Sequence, residues 1–346
     1  MKALQLTAWK HEAELVEVPE PTPGPGEVVI RVGGAGACHS DLHLMHDFEA
    51  GVVPWSLPFT LGHENAGWVE ARGSGVSGLS VGDAVAVYGS WGSGHCRRCL
   101  LGMENYCENQ AELGVAGGGL GANGGMAPLM LVPNARWLVP LGDLDPAEAA
   151  PLTDAGLTPY HAVKRSLPLL VPGSTAVVVG AGGLGQMAVQ LLRALSPATV
   201  VVVDQRPEAL EVARQLGADH AVLASGDAAT GIRELTHGRG AEVVLDVVGV
   251  DETLALAAAV ARPLGHLTIV GIGGGTLPVS FFTVPYEVSI ATTYWGTLPE
   301  LIEVIELAAA GKIRTRVERF PLDAGPDVYA SLHAGKLTGR AVIVPN

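Results

Sequence analysis

The chain has 346 residues, 48% of them hydrophobic and 16% charged, with 21 basic against 35 acidic side chains and a formal net charge of -14. This length allows two domains with a sizeable core, and so few charges exclude a solvated, disordered chain. The negative balance argues against phosphate backbones and anionic lipid surfaces, so neither nucleic acid nor a membrane is expected as a partner.

The opening stretch, MKALQLTAWKHEAELVEVPEP, alternates apolar and charged residues too often for a secretory signal. No apolar run reaches the ~18 residues of a membrane span. Four cysteines occur, and three are crowded between 96 and 107. Without an export signal, that crowding points to metal binding in a reducing cytosol rather than to disulfides. A cytoplasmic protein is the expectation.

Short β-rich segments come first: Lys2–Ala8, Ala13–Val18 and Glu27–Val32, separated by Pro-Thr-Pro-Gly-Pro-Gly at 21–26. Residues 66–88 continue this style, with a Gly82-Asp83 turn before a strand at 84–87. Residues 89–125 are glycine-dense, hold the cysteine cluster and read as an irregular lobe. After about residue 155 the pattern changes. Thr175–Val179, Val200–Val203, Val243–Val248 and Leu267–Val270 are continuous apolar runs. Between them, Leu184, Ala188, Leu191, Leu192 and Leu195 share a helical face, and Glu208–Leu216 is a helix closed by Gly217. Buried parallel strands alternating with helices predict a doubly wound α/β sheet. A helix over Pro299–Ala310 and strands near Thr315–Phe320 and Ala341–Val344 are predicted to return to the first domain. No internal repeat is visible.

Val177–Gly185 contains G-x-G-x-x-G at Gly180, Gly182 and Gly185, leaving an apolar strand and entering an amphipathic helix. Gly180 allows the tight turn, Gly182 the approach of a pyrophosphate, and Gly185 close helix–strand packing; Gly183 and Leu184 open the helix whose N–H groups face the phosphates. Nineteen residues beyond Gly185, Asp204 ends the next strand, where an acid accepts hydrogen bonds from ribose hydroxyls and repels a 2′-phosphate. NAD is therefore favoured over NADP, although Arg206 offers a guanidinium to such a phosphate. Val248, Val270 and Gly271, at the ends of later strands, are counted with the cofactor contacts.

Cys96-x2-Cys99-x7-Cys107 is a thiol group of the kind that holds zinc, which usually takes four tetrahedral ligands. Ser93 stands one C-x2-C step upstream, and His95 is the nearby candidate for a fourth ligand. The other reading is a metal-free lobe with buried or reactive thiols. Cys38, followed by Ser40 and His43, and the pair His63-Glu64 are further groups with metal and proton chemistry. Spacing alone does not connect them.

Taken together, GACHSDLH at 36–43, LGHENAG at 61–67, ENYC at 104–107, DAGLTPYHA at 154–162 and VVVGAGGLG at 177–185 resemble the zinc-containing medium-chain alcohol dehydrogenases over essentially the whole chain. The chain looks most similar to bacterial secondary alcohol dehydrogenases acting on aryl and alkyl ketones. The resemblance implies a mainly β chaperonin-10-like catalytic domain, residues 1–155 and 295–346, around an NAD-binding Rossmann domain, residues 156–294. It implies a catalytic zinc on Cys38, His63 and Asp154 with Glu64 adjacent, leaving a position for substrate. Ser40, the nicotinamide ribose and His43 would relay the alcohol proton while hydride passes to NAD. Trp55, Leu120, Tyr294 and Trp295 would line an apolar substrate pocket, and homotetramers or dimers are expected. The family's lobe carries four cysteines, so Ser93 puts a second, structural zinc in doubt. Rival readings are a polyol or threonine dehydrogenase, a zinc-free quinone reductase, and a non-catalytic nucleotide-binding protein on this fold.

Overall fold

In a computed structural model, which describes residues 1–345, the alternating N-terminal segments are antiparallel strands. Lys2–Leu6 (β1) pairs with Glu14–Glu17 (β2) on one side and with Phe59–Thr60 on the other. Val28–Gly36 (β3) follows, and Cys38 then caps a helix, His39–His46 (α1). Glu64–Arg72 (β4), Ala84–Val87 (β5), Leu129–Val132 (β6) and Leu138–Pro140 (β7) complete this stretch. The glycine-dense lobe between β5 and β6 holds only one-turn helices, at Arg97–Leu100 and Gln110–Leu113.

From Leu157–Ser166 (α2) the chain turns to parallel strands and crossover helices. In order these are Thr175–Val179 (β8), Gly183–Leu195 (α3), Thr199–Asp204 (β9), Pro207–Gln215 (α4), His220–Leu223 (β10), Ala228–Leu235 (α5), Ala241–Asp246 (β11), Asp251–Val260 (α6), Ala261–Ile269 (β12) and Ser289–Thr292 (β13). Their sheet runs β10-β9-β8-β11-β12-β13 and is parallel throughout. That is the doubly wound order, with its switch point between β8 and β11. Its core packs Val177, Val179, Val201, Val203 and Val244, all almost fully buried. β-branched residues suit such strands because both faces are covered.

The tail forms Leu298–Ala309 (α7), Val317–Pro321 (β14), Gly325–His333 (α8) and Arg340–Val344 (β15). Thr297 and Glu300 cap α7 reciprocally, each side chain bonding the other's backbone N–H. β15 pairs antiparallel with the end of β3, Val342 opposite Gly36, and closes a seven-stranded sheet ordered β7-β5-β4-β3-β15-β14 with β6 also on β3. The chain thus divides into one unit of Met1–Leu157 with the residues from Gly296 onward, and a second of Thr158–Trp295.

Several elements differ from their sequence expectations. The apolar run 243–248 leaves the sheet at Asp246, because that buried carboxylate accepts the N–H groups of Val248 and Gly249 and turns the chain. The sequence pattern sets apart neither helices α1, α2, α5, α6 and α8 nor strands β6, β7, β10 and β13 as separate periodic segments. No helix among the described residues is long and apolar enough to cross a membrane.

Candidate active site and metal centres

Strand β3 delivers Cys38 to the start of α1, the turn before β4 delivers His63, and a 3-10 turn over Ala150–Thr153 delivers Asp154. The donor atoms of these three side chains all lie within 4.8 Å of one another. His63 Nε2 stands 3.5 Å and Cys38 Sγ 3.8 Å from Asp154 Oδ2. His63 Nδ1 is 3.0 Å from Asp41 Oδ1, which directs Nε2 to the group. Burial works against a charged imidazole, yet the Asp41 carboxylate, with hydrogen bonds to Asp154, Asp41 and Cys38, raises the His63 pKa well above its ordinary value. Two carboxylates, Asp41 and Asp154, flank the imidazole at 3.0 and 3.5 Å, a setting that favours a cation. One thiol, one imidazole and one carboxylate, with the imidazole oriented by a second carboxylate, fit a catalytic zinc.

Spacing gave no hint of the side chains behind these donors. Asp41 is fully buried and accepts three contacts: His63 Nδ1, the Cys38 N–H at 3.0 Å, and the Tyr329 hydroxyl of α8 at 2.8 Å. It is the third residue of α1 and reaches back to the capping position, so one carboxylate both starts a helix and orients a donor. The signal was present, since an acid three residues after a cap is a helix-start pattern. Tyr329 stays a donor, because burial and then Asp41 push its pKa well above 10.0. Glu64, beside His63, receives Arg340 Nε at 2.8 Å, a second contact from the same guanidinium, and the Ala155 N–H at 3.1 Å. Burial pushes the Glu64 carboxyl up, and the Arg340 charge pulls against it.

Ser40 Oγ lies 3.6 Å from Cys38 Sγ. His43, one turn along α1, is part-exposed and bonds Asp47 Oδ2 through Nδ1 at 2.5 Å. This leaves Nε2 as the acceptor when Nδ1 carries the proton.

In the lobe, Cys96, Cys99 and Cys107 group their sulfur atoms within the same 4.8 Å limit. His95 is not with them. Its Nδ1 is 2.9 Å from the Ser93 carbonyl, its Nε2 faces Asn109, and the residue is exposed. The expected fourth ligand is corrected accordingly: adjacency to Cys96 does not aim the ring inward. Ser93 stands at the open corner, its N–H 3.2 Å from Cys107 Sγ and its hydroxyl 3.9 Å from Cys99 Sγ. Three thiols and a neutral hydroxyl fall one donor short of the closed set a structural zinc requires. The Cys99 and Glu108 N–H groups lower Cys96 to about 6 against its burial, whereas burial and the neighbouring thiols push Cys99 up to about 11.

In the second unit, the chain leaves β8 through Gly180, φ +102, and Gly182 caps α3. A Cβ on Gly185 would meet the Gly180 carbonyl oxygen at 1.9 Å, so only glycine lets the helix begin so close to the strand. Gly183, Leu184 and Gly185 are its first turn. Val248 flanks Gly180, and Gly271 abuts Val248, so the ends of β8, β11 and β12 converge with the partly buried glycine loop. Val270 is buried beside them and bonds the Asp246 carbonyl. Asp204 accepts the Ala181 N–H at 2.7 Å and, on its other oxygen, the Arg206 N–H and Nε at 2.9 and 3.2 Å. The Arg206 side chain is thus engaged with the Asp204 carboxylate.

Trp55 is part-buried, 6.3 Å from Phe59, and its ring lies against Gly121 next to the buried Leu120. Tyr294 is exposed, whereas Trp295 is buried, with a left-handed backbone at φ 53 and its ring 6.0 Å from that of Tyr294.

Comparison with known proteins agrees with this arrangement. The alcohol dehydrogenase GroES-like domain matches residues 24–143, and the zinc-binding dehydrogenase domain matches residues 183–310. An NAD-dependent alcohol dehydrogenase of Sulfurisphaera tokodaii is 36% identical over 100% of both chains. A D-arabinose 1-dehydrogenase (NADP(+)) of Saccharolobus solfataricus is also 36% identical, over 99% of this chain and 97% of its own. The crystal structure of the alcohol dehydrogenase of the archaeon Aeropyrum pernix superposes with a TM-score of 0.92 at 38% identity, covering 100% of each chain. The donor group, the doubly wound sheet and these full-length likenesses lead to one conclusion: the chain belongs to the zinc-containing medium-chain alcohol dehydrogenases.

Proposed function

We propose that the protein is an NAD-dependent zinc alcohol dehydrogenase that interconverts secondary alcohols and ketones bearing apolar or aromatic substituents. The observation that carries this reading is the convergence of Cys38, His63 and Asp154, with His63 held by Asp41. A zinc ion held by those three donors would supply Lewis acidity toward the substrate oxygen, and NAD the hydride acceptor. The chain's own residues hold, orient and move the proton. Asp41 fixes the imidazole so that Nε2 faces the donors. Ser40, beside Cys38, would take the substrate proton while passing its own on, by way of a nicotinamide ribose hydroxyl, toward His43, whose tautomer is set by Asp47 and which would release it to solvent. Asp204 supports NAD over NADP, because its carboxylate already closes the glycine loop and repels an added phosphate. Trp55, Leu120, Tyr294 and Trp295 are assigned to the substrate's apolar substituents. The same reading makes the protein cytoplasmic and a homotetramer or dimer; sedimentation of the purified chain tests the assembly.

A second reading, oxidation of a sugar or polyol, is favoured by the D-arabinose dehydrogenase relative alone. One experiment separates the two: reduction of NAD and NADP with primary, secondary, polyol and aldose substrates, with and without a strong chelator. The highest kcat/KM is expected for an aryl or alkyl secondary alcohol with NAD, lost on chelation and restored by zinc. Turnover confined to aldoses or polyols would replace the reading, and chelator-resistant turnover would remove the metal from it.

A further inference from the structure

We propose that Asn123 is a positioning residue that sets where the apolar pocket wall stands relative to the His63 turn, and so which substituents the pocket takes; the choice of substrates rests on the secondary-alcohol reading above. Asn123 lies in the glycine-rich segment GGGLGANGGM, residues 117–126, and is itself exposed. Its side-chain Oδ1 accepts the Thr60 N–H at 2.9 Å. Thr60 is buried three residues before His63, and its hydroxyl receives Gln5 Nε2 at 3.2 Å.

The segment runs along the turn that delivers His63. The N–H groups of Gly124, Met126 and Gly125 donate to the carbonyls of Thr60, Leu61 and Gly62 at 2.8, 3.0 and 3.1 Å. A Cβ at Gly119 or Gly124 would meet the Gly62 carbonyl oxygen at 2.4 or 2.1 Å, so glycine is what lets the two backbones touch. The three backbone bonds hold the His63 turn without help from Asn123. What Asn123 adds is a side-chain bond on the upstream side of Gly124.

That upstream side carries two features of the pocket wall. Leu120 is buried there, and the Trp55 ring lies against Gly121. The stretch folds on itself through Gly119 N–H to the Ala122 carbonyl at 2.8 Å and Leu120 N–H to the Gly117 carbonyl at 3.1 Å. With glycine at 117, 118, 119 and 121 it has many backbone states open to it. The bond from Asn123 to Thr60 removes those in which this fold slides along the turn and takes Leu120 with it. A large substituent packed on Leu120 and Trp55 feels such a slide, whereas a methyl group does not reach far enough to do so. Asn123 therefore acts on the binding of bulky substrates, and neither on turnover nor on the metal.

The test compares the full-length natural protein, purified with its native metals, with Asn123→Ala and Asn123→Asp. Hydrogen exchange of the peptide carrying Thr60 is read by mass spectrometry, and KM and kcat with NAD are measured for α-methylbenzyl alcohol and for isopropanol. In Asn123→Ala, exchange at Thr60 should quicken and KM for α-methylbenzyl alcohol should rise, each by about two- to tenfold, the scale of one net hydrogen bond. Its kcat and its KM for isopropanol should stay within about twofold of the natural values, the signature of lost binding without lost transition-state stabilisation. Asn123→Asp should restore all of these, since a carboxylate also accepts the Thr60 N–H. An equal rise in KM for both alcohols, a matching fall in kcat, or no rescue by Asp overturns the positioning role. Unaltered Thr60 exchange in Asn123→Ala overturns the bond on which that role depends. A natural protein that oxidises neither alcohol overturns the secondary-alcohol reading and the pocket role with it, while exchange at Thr60 separately upholds or overturns the bond.

Discussion

Replacing Arg340 by Met tests how the tail of the chain supports the site. Arg340 sits on β15 with its side chain 10% exposed, and its partner Glu64 is fully buried beside His63. Without the guanidinium, the Glu64 carboxylate keeps a single donor, the Ala155 N–H at 3.1 Å. Removing one partner of a buried, hydrogen-bonded ion pair costs about 3–5 kcal/mol, because the remaining charge is left without compensation. An unfolding entropy of roughly 2.1 cal/mol/K per residue converts that loss, over 346 residues, into a Tm drop of about 4–7 °C. Differential scanning calorimetry at neutral pH reads the shift, and Glu64→Gln completes a double-mutant cycle. The double variant should be less destabilised than the sum of the singles by about 2 kcal/mol or more, since each single leaves a buried group that the other satisfied. A Tm drop below about 1 °C, or simple additivity, would refute the reasoning that this pair ties the C-terminal strand to the donor turn.

Tyr329→Phe removes one of the three contacts that hold Asp41; metal release to a chelator should quicken by about tenfold, the scale seen when outer partners of metal-bound histidines are lost, and an unchanged rate would remove Tyr329 from support of the site. Asp204→Gly should raise kcat/KM with NADP relative to NAD by tenfold or more, consistent with a unit-charge repulsion of about 1–4 kcal/mol at 4 Å, and an unaltered ratio would show that another residue discriminates. Glu318 accepts the Thr338 and Gly339 N–H groups and the Thr338 hydroxyl; these bonds outweigh its burial and hold the carboxyl below the ordinary 4.5. Its folded pKa is depressed, so its contribution is full above the unfolded value and fades as the pH falls through the folded one. The urea midpoint should therefore fall on acidification below about pH 4.5, less steeply in Glu318→Gln, and identical slopes would sink the assignment.

Legibility followed range along the chain. The β8–α3 turn was readable because its signal is local: a β-branched run, glycines where no Cβ fits, and an amphipathic helix within twenty residues. The Thr297–Glu300 cap lies at the start of a predicted helix for the same reason. The donors Cys38, His63 and Asp154 could be connected only through the family resemblance, since nothing in their spacing shows that three separate turns meet. Tyr329 and Arg340 were invisible, being 288 and 276 residues from Asp41 and Glu64. His95 was misread for the opposite reason. Proximity in sequence suggested a ligand, while backbone direction sent its ring to the Ser93 carbonyl. Helix α1 escaped because HSDLHLMH mixes buried and exposed positions without a clean apolar stripe.

The late pairing of β15 with β3 sets a schedule for synthesis. When residue 157 leaves the ribosome, all three side chains of the Cys38 group have been made, yet β3, paired with β4 over Ala35 and Gly36, still lacks its second neighbour there. The strands of the second unit all lie between Thr175 and Thr292, so that unit has its whole sheet in hand while the first still waits. An open edge invites wrong partners. Translation of residues 296–344 is therefore the moment at which the first unit gains β15 and the Tyr329 and Arg340 supports of the donor group.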